Sequence, residues 1–206
     1  MSILGIRVLG SPILRQNTAP VQTFDAELQR LIDDMFETMY RAQGIGLAAP
    51  QVGRTERLAV VDVEEDPLVI INPDIVSVAG KEKGEEGCLS IPDLFGDVIR
   101  ATTVTVRALD RSGAPFEVTA SDLTARCLLH EIDHLNGRLF IDYLSMLRRR
   151  SILSRWEEIK SGYPDLIRDV SLEPESKPRD RQARNAARLS QGDDGHPRDS
   201  GNPESL

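Results

Sequence analysis

The run Leu128-Leu129-His130-Glu131-Ile132-Asp133-His134-Leu135 constrains this chain more than any other stretch. Side chains four apart on an α-helix share a face, so His130 and His134 point the same way, where two imidazoles can hold one metal ion. Glu131 lies beside them, suited to take a proton from a water activated by that metal. The same helix carries two further stripes. Leu123 and Cys127 continue the histidine face, while Leu128, Ile132 and Leu135 form another. A helix apolar on two faces is expected to be buried on both, as the central helix of its domain. Ser121 is the expected N-cap, and Gly137 the expected terminator.

Composition narrows what can surround that helix. A chain of 206 residues can bury one real core, and 40% apolar with 28% charged residues is the balance of a soluble globular protein. A formal charge of −8 argues against a general nucleic-acid surface, so no sequence-specific nucleic-acid partner is expected. Cys88 and Cys127 have no spacing of a disulfide framework, and free thiols suit a reducing compartment. Near the N-terminus Gly5, Arg7, Gly10 and Pro12 interrupt any signal-peptide core, and no stretch approaches a membrane span. The expected location is the cytoplasm, with no membrane partner.

Along the chain, Gly10-Ser11-Pro12 reads as a turn. Leu28, Leu31, Ile32, Met35, Phe36, Met39 and Tyr40 then predict a helix from Asp25 to Arg41, capped by Thr23 or Asp25 and ended by Gly44. Gly44-Ile45-Gly46-Leu47-Ala48-Ala49-Pro50-Gln51-Val52-Gly53 lacks the third glycine of a dinucleotide fingerprint and the Lys-Ser/Thr of a P-loop. It serves either a close backbone approach to a ligand or a sharp turn. Short strands are predicted at 58–63, 68–71 and 74–78, a charged solvated connector at 81–86, and an alternating strand over 98–109. A hairpin turn at Asp110-Arg111-Ser112-Gly113 leads into a strand at 116–119. A last helix, 145–160, carries the basic run Arg148-Arg149-Arg150. From about Ser171 large apolar residues run out, and such a segment cannot offset its ordering entropy. The folded domain is set at 1–165, with 166–206 a disordered C-terminal tail.

A catalytic metal of this type takes three protein ligands and keeps a position open. Downstream the candidates are Glu157 and Glu158, on the basic helix; upstream it is Cys88, in Glu86-Gly87-Cys88-Leu89-Ser90. Residue types alone leave the choice open. Three segments in register decide the reading: Gly44 to Gln51, Glu86 to Ser90, and His130 to Leu135 resemble the three signature motifs of peptide deformylases, within a likeness spanning nearly all of residues 1–160.

That resemblance implies an α+β fold of short, mostly antiparallel sheets around the H-E-x-x-H helix, followed by a C-terminal helix. It implies Cys88, His130 and His134 as ligands of one divalent metal, Fe(II) in the working enzyme, with zinc or other ions able to occupy the site. The reaction implied is hydrolysis of the formyl amide on formylmethionyl nascent polypeptides. Glu131 would move the proton, and Gln51 and the backbone N–H of Leu89 would steady the negative oxygen. Ile45 and Gly46 would bind the peptide backbone as an added strand, and Glu86 with Arg100 would form a supporting pair. For the methionine side chain the expected walls are Ile45, Leu123 and Cys127. Arg126 is expected to line that pocket with its stem while its head reaches solvent.

Two positions depart from the family pattern: Arg126, and Leu129, which stands where a Gln commonly precedes the first histidine, so a change in bonding around the ligands is expected there and not loss of ligation. Two rivals remain in view. One is a zincin-like peptidase using Glu157 or Glu158. The other is a non-catalytic module docking on the ribosome through the basic last helix, a contact that a deformylase could also make.

Overall fold

The computed structural model describes residues 2–171. In chain order the elements are β1 (Ile6–Arg7), α1 (Ala26–Arg41), β2 (Gly46–Ala48), β3 (Leu58–Val63) and β4 (Asp66–Ala79). There follow β5 (Glu82–Cys88), β6 (Ile91–Arg100), β7 (Thr103–Leu109), β8 (Pro115–Ser121), α2 (Asp122–Leu135), α3 (Met146–Ile159) and β9 (Ile167–Arg168). This is the expected mixture of helices and short antiparallel sheets.

The larger sheet runs β2-β3-β4-β7-β8, every pair antiparallel. Alternation along β3 shows how it is covered. Leu58 and Val60 join α1's Leu31, Ile32, Met35 and Met39, whereas Ala59, Val61 and Val63 join α2's Leu128, Ile132 and Leu135. Successive strand side chains face opposite ways, so each helix covers one face. The other side of α2 meets the β5–β6 hairpin and the turn at Phe140–Tyr143, with α3 packed against that hairpin. There Ile91, Leu94, Val98, Phe140, Ile152 and Trp156 form a separate cluster. The H-E-x-x-H helix is thus buried on both sides, as its two stripes require.

Helix ends follow their sequence signals only in part. Asp25 caps α1, its carboxylate accepting from the N–H groups of Glu27 and Leu28 at 2.9 and 3.0 Å. The left-handed residue that ends α1 is Gln43 (φ 59°), one position before the expected Gly44. Gly44 closes the turn through its N–H to Met39 O. Ser121 precedes α2 in extended backbone, but its side chain makes no capping bond. Gly137 adopts φ 67° just beyond α2, as expected of a terminator.

Four expectations change. The two short strands at 68–71 and 74–78 are one strand, β4, bent by a bulge at Asn72 (φ 50°), whose amide side chain bonds both the N–H and the C=O of Val21. The connector at 81–86 is β5: its charges are mostly exposed, while its backbone pairs with β6. The strand read over 98–109 is two, because the chain leaves the hairpin sheet at Arg100 and enters the large sheet at Thr103. Alternation is a property of each strand and cannot mark that handover. Finally, Ile167 and Arg168 pair with Arg7 and Ile6, and Val170 is fully buried. The folded part therefore extends past the expected boundary at 165, and the rest of the expected tail lies outside the described residues.

Candidate metal centre and active site

The donors of His130 and His134, one turn apart on α2, converge with the thiol of Cys88 so that all three lie within 4.8 Å of one another. Cys88 Sγ is 3.2 Å from His134 Nε2. Cys88 owes its position to the end of β5, where the register shifts and the hairpin turns through Leu89 and Ser90. His130 turns its other nitrogen, Nδ1, to Glu86 Oε2 at 3.1 Å, which orients the ring and leaves Nε2 for the site. Phe140 stacks on the same ring. A thiol and two imidazoles on rigid elements form a donor set that suits one divalent transition ion. Glu157, the rival third ligand, sits on α3 with an exposed side chain paired to Lys160.

Glu131 is 3% exposed, and its Oε2 has no hydrogen-bond partner among the described residues. Burial pushes its carboxyl up to about 7; nearby His130 opposes this, while Glu86 and Asp133 add to it. Such a carboxyl is poised to exchange a proton near neutrality. It rests over the edge of β2. A Cβ at Gly46 would run into the Glu131 carboxylate and lie 2.8 Å from Cys127 Sγ. The close approach at Gly46 is to this chain's own Glu131 and Cys127, while Gly53, at φ 80°, makes a turn.

Gln51 is fixed by a short 3-10 turn at Ala49–Val52 and is 1% exposed. Its Oε1 accepts from Ala48 N–H at 2.7 Å, which aims the amide nitrogen at Ser90 Oγ (3.3 Å) and Cys88 Sγ (3.6 Å). Leu89 lies in the turn after Cys88, its side chain packed against α1's cluster. Ile45, Leu123 and Cys127 sit together against the α2 face of the large sheet. Burial pushes the Cys127 thiol well up, with Glu131 adding to the effect, so it stays neutral.

Behind the donors lies a buried polar network. Arg100 grips Glu86 with two bonds, at 2.8 and 3.0 Å, and reaches Asp133 at 2.5 Å. Tyr143 donates to Asp133, and its ring lies under the Arg100 guanidinium, 4.5 Å from centroid to Cζ. Burial alone would raise the Glu86 carboxyl, but bonds from His130 and Arg100 hold it down at about 2. The expected Glu86–Arg100 pair is therefore part of a larger array. Asp133 and Tyr143 were missed from the sequence. Asp133 follows His130 by three residues and could have been read on a neighbouring face; Tyr143 carried no local signal.

Arg126 departs from expectation. Its head is largely withdrawn from solvent: the side chain is 13% exposed and bonds Glu86 together with carbonyl oxygens of the β5–β6 hairpin. A guanidinium that meets a carboxylate and three carbonyls exchanges water for protein acceptors, so the head is held on the hairpin. Leu129 packs against the large-sheet cluster, to the side of the donor face.

Residues 3–150 match the model of the polypeptide deformylase family. The chain belongs to that family. A peptide deformylase of Alkalilimnicola ehrlichii is 52% identical over 163 residues, covering 77% of this chain and 92% of the relative. One of Rhizobium meliloti is 51% identical over 162 residues, 76% of this chain and 93% of its own. Among solved structures, a peptide deformylase from Legionella pneumophila superimposes with a TM-score of 0.75 at 50% identity, covering 78% of this chain and 96% of that one. The Ehrlichia chaffeensis peptide deformylase solved with actinonin gives 0.74 at 40%, covering 77% and 98%. Like its relatives this chain is a hydrolase of the deformylase class. No helix among the described residues is long and apolar enough to cross a membrane.

Proposed function

We propose that Cys88, His130 and His134 hold one divalent ion, Fe(II), and that the site around it removes the formyl group from N-formylmethionine at the start of newly made chains, releasing formate. The carrying observation is the buried, unpartnered carboxyl of Glu131 beside a three-donor cluster. The bound ion supplies a Lewis acid that makes water more acidic and polarises a carbonyl.

The rest is the work of this chain's side chains. Glu131 takes a proton in its desolvated pocket and delivers it to the departing amine. The Gln51 amide, held by Ala48 N–H, and the N–H of Leu89 face the oxygen on which charge develops. Ile45 and Gly46 offer the β2 edge to an extended peptide, whose methionine side chain lies against Ile45, Leu123 and Cys127. The thiolate at Cys88 makes an Fe(II) site sensitive to oxidation.

Formate release from a formyl-Met-Ala peptide tests the reading, using protein purified without oxygen and loaded with Fe(II). Activity in the parent, with Glu131→Ala and Cys88→Ser nearly inactive, is the expected result. No formate from metal-loaded parent protein overturns it.

The reaction belongs in the cytoplasm, where formylated chains emerge, and α3 is offered as a ribosome contact. Its exposed Met146 and Leu147 adjoin Arg148-Arg149-Arg150. Co-sedimentation with ribosomes that weakens with salt is expected; none at low salt removes this contact.

A further inference from the structure

An ionised carboxylate offers about four acceptor directions, two on each oxygen. At Glu86 all four are used. Oε1 accepts from Arg100 Nε at 2.8 Å and Arg126 Nη1 at 2.9 Å; Oε2 accepts from Arg100 Nη2 at 3.0 Å and faces His130 Nδ1 at 3.1 Å. Arg100 comes from β6, the partner strand of β5, and ties the hairpin to α2 at Asp133, one residue before His134. Arg126 supplies a second tie from the other end of the motif, because it sits on α2 one turn before His130. Its Nη1 also donates to Gly84 O (3.4 Å) and Val98 O (3.0 Å), and its Nη2 to Glu82 O (3.2 Å). Gly84 and Val98 are cross-strand partners, so one guanidinium bridges both strands of the hairpin.

The hairpin is shaped to receive it. A Cβ on Gly84 would lie 2.8 Å from Arg126 Nη2 and 2.9 Å from its Cζ, inside contact distance. The β5 strand that Arg126 grips at Glu82, Gly84 and Glu86 ends at Cys88, while the helix that carries Arg126 carries both histidines. The distance between thiol and imidazoles is therefore set in part across this side chain, alongside the Arg100–Asp133 and Glu86–His130 contacts.

We propose that Arg126 is a positioning residue of the metal centre: by clamping α2 to the β5–β6 hairpin and filling the fourth acceptor direction of Glu86, it holds His130 and Cys88 in register for one ion. This rests on the metal-centre reading above. Arg126 then acts through Glu86 and the hairpin and does not touch substrate.

Cobalt(II) is the probe, because thiolate and imidazole ligation give it a visible spectrum that reports geometry directly. Arg126→Met keeps the length and packing of the stem without the donors. It is expected to remain folded, alter the cobalt bands, and lose the ion to a chelator about 10–100-fold faster. With the cobalt protein, kcat for formyl-Met-Ala should fall about tenfold while KM moves less than about twofold. Arg126→Lys retains the charge but cannot span the carboxylate and three carbonyls, so partial recovery is expected. Gly84→Ala leaves Arg126 in place and pushes against it; similar band changes are expected there even if Arg126→Met folds poorly. The exposed Arg107→Met serves as a control with unchanged cobalt behaviour.

Unchanged bands and ion loss in both Arg126→Met and Gly84→Ala overturn the proposal. Full recovery by lysine overturns the clamp, since charge alone would then suffice. A raised KM with intact kcat returns Arg126 to the substrate pocket. Parent protein that binds no cobalt overturns the metal-centre reading, and this inference with it.

Discussion

The two sides of α2 hold the molecule together by different means. Toward the large sheet, Leu128, Ile132 and Leu135 bury themselves among Ala59, Val61, Val63, Val104 and Val106, with no polar partner to find. Toward the hairpin, His130, Asp133 and Arg126 each meet named partners on β5, β6 or Tyr143. Burial of apolar surface is roughly proportional to area and indifferent to orientation. A buried charged array is favourable only when every donor and acceptor is met, because each unmet group keeps its desolvation penalty. One side of the helix therefore secures its position, and the other specifies the angle at which the donors stand.

The largest expected effect falls on the charged side. Glu86→Ala leaves Arg100 and Arg126 buried without their carboxylate, and breaking a buried pair from one end costs about 3–5 kcal/mol. Urea denaturation should record that loss together with faster release of a bound metal. An unchanged midpoint would mean that the array is not what holds the hairpin.

A smaller and differently shaped effect is expected on the apolar side. Leu128→Ala should destabilise by about 2–5 kcal/mol through the cavity it leaves, and Leu128→Met by less than about 1.5 kcal/mol. In both, activity per folded molecule should stay near that of the parent. A loss of kcat larger than the loss of folded protein would erase the distinction between the two sides.

The smallest effect tests a charged pair outside the array. Asp142 is partly buried; burial alone would raise its carboxyl, but bonds from Arg15 and the N–H of Leu139 prevail and hold it below the ordinary carboxylate range. The unfolded chain then binds that proton more readily than the folded one. The contribution is complete above the ordinary range and is lost as pH falls through the lowered value. Because the pair is reached by solvent, it is expected to contribute less than about 1 kcal/mol. Asp142→Asn should lower stability near neutrality by up to that amount and flatten its fall on the acid side, because the variant has no such contribution left to lose. A variant that follows the parent's acid profile would show that the pair contributes nothing measurable.

How much of this was legible beforehand differs by element. The stripe Leu28-Leu31-Ile32-Met35-Met39 foretold α1, and the expected Asp25 cap is present. Both are local matters of helical period and unpaired N–H groups. The merging of two short strands into β4 was not legible, because a bulge at Asn72 is stabilised by Val21, 51 residues away. The charged segment that becomes β5 read as solvated because its side chains largely are; what makes it a strand is the backbone ladder to β6. Arg126 read as half-exposed because a long basic side chain ordinarily keeps its head in water. Only a carboxylate and three carbonyls brought together from β5 and β6 reverse that preference.

From the sequence by itself came the helix, the histidines one turn apart on its face, the glutamate between them and the apolar stripes that bury it. These follow from a backbone repeat that a few consecutive residues determine. Residue types alone left the third donor open, and likeness to a family supplied the expectation of Cys88. The tertiary structure brought that thiol, 46 residues before His134, to 3.2 Å from it, and assigned Glu86 to two arginines and a histidine at once. Such pairings are decided by which charged groups are desolvated together, and that is known only once the hairpin has closed over the helix.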